Sequence, residues 1–138
     1  MEKLDRKLEN ASKALEALIE ADRKFKELNE SDYYYISVRD SSIKSFEFTI
    51  DCFWKLLKAL LFKIGIEATV GPKGIIKESE ENNIISKEES KDLIRMIEDR
   101  NISSHIYEQD TADEIANNIS TYVPILEKIL LKIKDLND

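Results

Sequence analysis

The stretch IKSFEFTIDCFWKLLKALLFKI, residues 43–64, sets Ile43, Phe46, Ile50, Phe53, Leu57, Leu60 and Ile64 at alternating intervals of three and four without a miss. An α-helix turns once in 3.6 residues, so this spacing draws one apolar stripe down a single long helix. The rhythm recurs on both sides. Upstream, Leu4, Leu8, Ala11, Leu15, Leu18 and Phe25 keep it with one break at Asp22; downstream, Ile115, Ile119, Tyr122, Leu126, Ile129, Ile133 and Leu136 keep it throughout. A period this close to 3.5, held over so many turns, belongs to helices packed nearly parallel or antiparallel. The expected fold is all-α, an up-and-down antiparallel bundle of about five helices.

The punctuation agrees. Gly65 follows the central stripe and serves as a C-terminal stop. Pro72 stands where a first-turn proline opens a short helix of about ten residues. Ser86 with Glu89, and Thr111 with Glu114, have the spacing of capping boxes, so a fourth helix is expected from Ser86 and the last from Thr111. Pro124 falls inside that last helix and is expected to kink it. Residues 29–36 and 65–72 read as the main connections. There is no internal repeat, low-complexity tract or linker, so residues 1–138 read as one domain.

Composition narrows the class. Of 138 residues, 42% are hydrophobic and 36% charged, a balance that suits helices with one wet face and is too apolar for a disordered chain. Cys52 is the only cysteine, which excludes an intrachain disulfide and a thiolate metal cluster. The segment Met1-Glu2-Lys3-Leu4-Asp5-Arg6 lacks the apolar core of a signal peptide, and no run of about 18 apolar residues is present. The expectation is a cytoplasmic protein with no membrane partner. A net charge of −7 argues against coating nucleic acid through a broad basic surface, but leaves room for a small, locally basic RNA site.

The run Arg100-Asn101-Ile102-Ser103-Ser104-His105-Ile106-Tyr107 carries the chemistry. Leu93, Ile97, Arg100 and Ser104 share one helical stripe, so a guanidinium sits where an apolar residue is expected. That charge cannot be lost, and burying it needs a partner. Arg100 is either a structural anchor, paired with a carboxylate such as Glu47 or Asp51, or it faces a cleft or a second subunit. His105 is the only histidine. In an unbroken helix residues five apart point about 140° apart, so Arg100 and His105 converge only if the helix breaks near Ser103-Ser104 or if two subunits share the site. An imidazole exchanges protons at cellular pH, and a guanidinium stabilises a developing phosphorane oxyanion. Together they suffice for RNA cleavage without a metal, the 2′-hydroxyl attacking its own phosphodiester. In an extended stretch, Tyr107 would lie on the same side as His105.

This run resembles the R-x4-H-x-Y signature of HEPN ribonucleases, including the polar residue after the arginine. Arg39-Asp40, Phe46-Glu47-Phe48-Thr49 and Trp54-Lys55 resemble the central helix of the HEPN branch described as nucleotidyltransferase substrate-binding proteins. Gly71-Pro72-Lys73 resembles the opening of that branch's short third helix. Asp51 stands where the branch commonly has Glu, and Phe53 where it has a small residue. The likeness spans about residues 4–136. It implies a bundle that forms a homodimer with the ribonuclease cleft at the interface. It implies a metal-independent toxin site built from Arg100 and His105 of both subunits, supported by Asn101, Ser104 and Glu47. It further implies a minimal nucleotidyltransferase as antitoxin partner, transferring AMP from ATP onto Tyr107. No cofactor is expected in the chain itself, which has no glycine-rich phosphate loop.

Two other classes remain open: a non-catalytic subunit that presents substrate to a nucleotidyltransferase, and a purely helical adaptor. Elsewhere, Tyr33-Tyr34-Tyr35 reads as a helix-entry cluster packing on the bundle, Trp54 as core or interface, and Arg39 and Glu47 as cleft-lining residues or an internal ion pair. Lys73, Lys77 and Lys87 read as a solvated face.

Overall fold

The computed structural model describes residues 2–105 and 108–137 and shows five helices in the order α1 Glu2–Lys26, α2 Tyr35–Lys63, α3 Pro72–Glu81, α4 Lys87–Ser103 and α5 Gln109–Asn137. The all-α bundle expected from the stripes is the observed architecture. Helix α2 carries the uninterrupted stripe and is the central element, packing against each of the other four.

One apolar core draws side chains from all five helices, among them Leu15 and Leu18, Phe46, Ile50 and Phe53, Ile75, Met96, and Ile119, Tyr122 and Leu126. The Phe46 and Tyr122 rings stack with centroids 5.6 Å apart, joining α2 to α5 at its centre. The break in the α1 stripe has a partner: the Ser120 hydroxyl of α5 donates to the Asp22 carboxylate at 3.0 Å. Buried hydroxyls return to carbonyls, Ser42 to Arg39 at 2.7 Å and Ser79 to Ile75 at 2.8 Å. Among the described residues no buried side-chain nitrogen or oxygen lacks a partner. A second, smaller core gathers Phe25, Tyr35, Ile43, Ala112, Ile115 and Ala116 where α2 and α5 begin.

The helix ends follow the local chemistry, with one exception. Gly65 adopts φ 92°, and the Ile66 and Gly65 amides donate to the carbonyls of Leu61 at 2.8 Å and Phe62 at 3.0 Å. This is the Schellman pairing, which needs a left-handed residue at that point. Pro72 occupies the first turn of α3 behind Gly71, and Ser86 with Glu89 forms a reciprocal capping box on α4. The Thr111 box is not formed: α5 starts at Gln109, so Thr111 lies inside the first turn and not at the N-cap. Helix α5 runs on through Pro124. Of the three tyrosines at the entry to α2 only Tyr35 is buried; Tyr33 is 92% and Tyr34 65% exposed, because the chain is still turning there.

Candidate functional site

The end of α4 lies against the middle of α2, and the side chains of the R-x4-H run meet acidic residues one turn apart on α2. Arg100 Nε and Nη2 donate to the two oxygens of Asp51 at 3.0 and 3.1 Å. This is the two-pronged pairing that a planar guanidinium and a carboxylate allow. Asp51 therefore reaches the arginine although it is one methylene shorter than Glu. Arg100 Nη1 donates to the Ser104 hydroxyl at 2.9 Å. Among the described residues, three of the five guanidinium N–H groups are thus engaged and two remain. The hydrogen bonds to Asp51 raise the Arg100 pKa above its ordinary value against the opposing effect of burial, so the charge is fixed. The side chain is 29% exposed, so this anchored group also faces outward. Of the two carboxylates considered for Arg100, Asp51 is the partner. Glu47 instead accepts from the Ser103 hydroxyl.

Helix α4 ends at Ser103, with Ser104 as its cap, so the helix breaks where the i, i+5 spacing requires. His105 lies in the turn that follows, exposed, its backbone amide donating to the Ile102 carbonyl at 3.0 Å. No hydrogen bond joins His105 to Arg100 among the described residues. Asn101 is exposed on the outer face of the last turn. Tyr107, expected beside His105, lies outside the described residues.

A cleft of about 300 Å³ opens beside this cluster, lined by Arg39, Glu47, Ser103, Ser104 and Gln109 among others. Arg39 is 3% exposed, and burial works against its charge. Hydrogen bonds from Nη1 to Asp113 at 3.0 Å and from Nε to Asp40 at 3.1 Å outweigh that penalty and leave its pKa raised. The Tyr35 hydroxyl donates to the same Asp113 oxygen at 3.0 Å. Arg39 is thus both cleft wall and internal ion pair, but its partners are Asp40 and Asp113, not Glu47. The pairing clamps the start of α5 to α2 and so fixes the mouth of the cleft. Sequence reasoning missed Asp113 and the role of Ser103. The only signal for the former was Tyr35 and Arg39 four apart on one helix face, two donors in search of an acceptor.

This chemistry can be stated from the residues alone. A partly exposed guanidinium, locked in orientation by a carboxylate and with two donors unengaged among the described residues, can receive phosphoryl oxygens. An exposed imidazole one turn beyond it can move a proton.

Comparison with known proteins gives this arrangement its relatives. Residues 6–135 match the family model described as nucleotidyltransferase substrate binding protein like. A crystal structure of a protein from Thermus thermophilus is 31% identical, with 87% of this chain aligned to 95% of that one and a TM-score of 0.72. A tri-AMPylated HEPN toxin from Shewanella oneidensis, solved in complex with an MNT antitoxin, shares the fold at TM-score 0.76. It is 14% identical, with 96% of each chain covered. A toxin–antitoxin complex with AMP-PNP shares it at TM-score 0.79 and 14% identity, covering 94% of this chain and 98% of that one. No curated protein matches the chain in sequence. The chain has the helical fold of the HEPN toxins and belongs to the nucleotidyltransferase substrate-binding-protein-like family.

Proposed function

We propose that the chain, residues 1–138 as one domain, is a metal-independent HEPN ribonuclease toxin that acts as a homodimer and is neutralised by a minimal nucleotidyltransferase. The observation that carries this reading is Arg100 held two-pronged by Asp51 at the broken end of α4, with donors left over and His105 in the turn beyond. The fold shared with a tri-AMPylated HEPN toxin bound to its MNT antitoxin supports the partner class.

In the proposed reaction one His105 takes the proton from a ribose 2′-hydroxyl as its oxygen attacks the adjacent phosphorus. The P–O5′ bond breaks, and the second subunit's histidine gives a proton to the leaving 5′-oxygen. A 2′,3′-cyclic phosphate and a 5′-hydroxyl result. The free Arg100 N–H groups take up charge on the non-bridging oxygens. Ser104 and Asp51 hold the guanidinium, Glu47 holds Ser103, and Asn101 orients the site. A dimer supplies what one chain lacks: Phe48 is 63% and Ile102 50% exposed, apolar side chains on the same two helices that carry Asp51 and Arg100. A two-fold axis through this face sets both motifs in one cleft. Regulation places AMP on Tyr107: the phenol oxygen attacks the α-phosphorus of ATP, loses its proton, and pyrophosphate departs. An RNA target sets its site of action in the cytoplasm.

The test is RNA cleavage in EDTA by protein made without any nucleotidyltransferase, against His105→Ala and Arg100→Ala. The expected result is cleavage by the wild type and loss of at least about 10²-fold in each variant with helicity unchanged. A second reading, the non-catalytic subunit that presents substrate to a nucleotidyltransferase, is favoured by the family description itself. An unmodified wild type that leaves a broad set of RNAs intact would overturn the first reading and favour this one.

A further inference from the structure

A larger groove, about 720 Å³, lies away from the Arg39 cleft, between the start of α1 and the second half of α2. Five lysines line it, Lys3, Lys7, Lys55, Lys58 and Lys63, against one carboxylate, Glu67. That is a local excess of four positive charges on a chain of net charge −7. None of the five forms an ion pair among the described residues; Lys63 donates to the Asn137 amide oxygen at 3.2 Å instead. Two aromatic rings lie among them. Phe62 is 64% exposed, and Trp54 is half-buried with the Lys55 ammonium 5.8 Å from its ring centre.

The groove adjoins the candidate reactive centre through Trp54. Glu47, Asp51, Lys55, Lys58 and Phe62 follow one another at intervals of four or three down one face of α2. The Trp54 indole N–H lies 3.4 Å from Asp51 Oδ1, the oxygen that accepts from Arg100 Nε. From Asp51 to Phe62 the helix rises about 16 Å, the reach of a few nucleotides.

We propose that this groove binds single-stranded RNA and leads it to Arg100, the lysines meeting phosphates while bases stack on Phe62 and Trp54. Lysines interleaved with aromatic faces in an open groove are what a sequence-tolerant single-strand site needs. An acidic protein segment would use the charges but leave the ring faces idle. The choice of ligand rests on the ribonuclease reading, whereas the groove itself rests on its own residues. Concentrating the cations here also explains how an acidic chain could hold RNA without a basic surface.

The experiment is fluorescence anisotropy of a labelled single-stranded RNA of mixed sequence, in EDTA, on the unmodified full-length protein carrying His105→Ala so that the probe stays intact. Replacing Lys55 and Lys58 together by alanine should weaken binding at least about tenfold at low salt. It should also flatten the slope of log affinity against log salt by about 1.4, two phosphate contacts at about 0.7 each. Phe62→Ala should weaken binding at least about fivefold through lost stacking. Lys24→Ala, exposed at the far end of α1, should change it by less than about twofold. The proposal is overturned if the double variant binds as tightly as its parent, if Lys24→Ala weakens binding equally, or if a poly-glutamate peptide occupies the groove while RNA does not bind. Cleavage separates it from the reading above. RNA cut by the otherwise wild-type chain, with binding indifferent to Lys55 and Lys58, sinks the groove alone. RNA held in the groove but never cut sinks the ribonuclease alone.

Discussion

Arg100 has its orientation set by Asp51, and on the proposed ribonuclease reading its role rests on the donors that Asp51 leaves. A carboxylate that grips Nε and Nη2 fixes the guanidinium plane, and the two N–H groups unengaged among the described residues then point where the helix end puts them. Asp51→Asn keeps the size but removes one acceptor and the charge, so the guanidinium can swing. RNA cleavage should fall about 10²-fold, as for a misplacement of about 1 Å. Thermal unfolding should move only a few degrees, since the pair is about one-third exposed and screened. Cleavage kinetics beside a melting curve check both halves. Arg39 differs in kind: it is buried, its two carboxylate partners are already taken, and its contribution is to hold α5 against α2. The residue pattern showed that Arg100 was out of place on an apolar stripe. Which acid it would meet depended on α2 and α4 being brought together across 49 positions of sequence.

Helix ends show how far local chemistry carries. Gly65 was legible because a left-handed stop after a long stripe favours glycine, and its φ of 92° bears that out. A Cβ there would meet nothing within 4 Å, so Gly65→Ala isolates the backbone cost. It should destabilise by about 1 kcal/mol in chemical denaturation with an unchanged m-value. The Ser86–Glu89 box was legible by spacing, but the structure adds a long-range partner, Lys132 of α5, at 2.5 Å from the Glu89 carboxylate. Burial pushes the Glu89 carboxyl up, while Lys132 and the Ser86 backbone amide push it down further, leaving it below its ordinary 4.5. A carboxyl lower in the folded than in the unfolded chain stabilises above its unfolded pKa, and that contribution fades as pH falls through the folded one. Melting temperature should therefore drop below about pH 4.5, and less steeply in Glu89→Gln, measured by circular dichroism from pH 7 to 3. The Thr111 spacing was equally good and yet formed no cap. Gln109 and Asp110 join the helix ahead of it, in the segment where Arg39 and Tyr35 hold Asp113 and the small core holds Ala112.

At the scale of the molecule, the apolar residues left outside the core define where a second copy would fit. Phe48 of α2 and Ile102 of α4 are exposed apolar side chains on the two helices that carry Asp51 and Arg100, and they suit the proposed symmetric interface. Phe48→Glu with Ile102→Glu should convert a dimer to a folded monomer in sedimentation and abolish cleavage, while leaving helicity intact. Cleavage by the monomer would show that one chain holds a complete site. The amino-acid sequence by itself determined the helices, their stripes and most of their ends, because periodicity and capping act over one or two turns. It also singled out Arg100 and His105 as the candidate reactive groups of the proposed site. Only the tertiary structure decided that Asp51 rather than Glu47 grips Arg100, that Glu47 holds Ser103, and that Asp113 ties α5 to Arg39 of α2. It also decided that lysines from residues 3 and 7 join those at 55, 58 and 63 in one groove. These are pairings between distant helices, and their geometry is set by how the shared core packs, which no local pattern records.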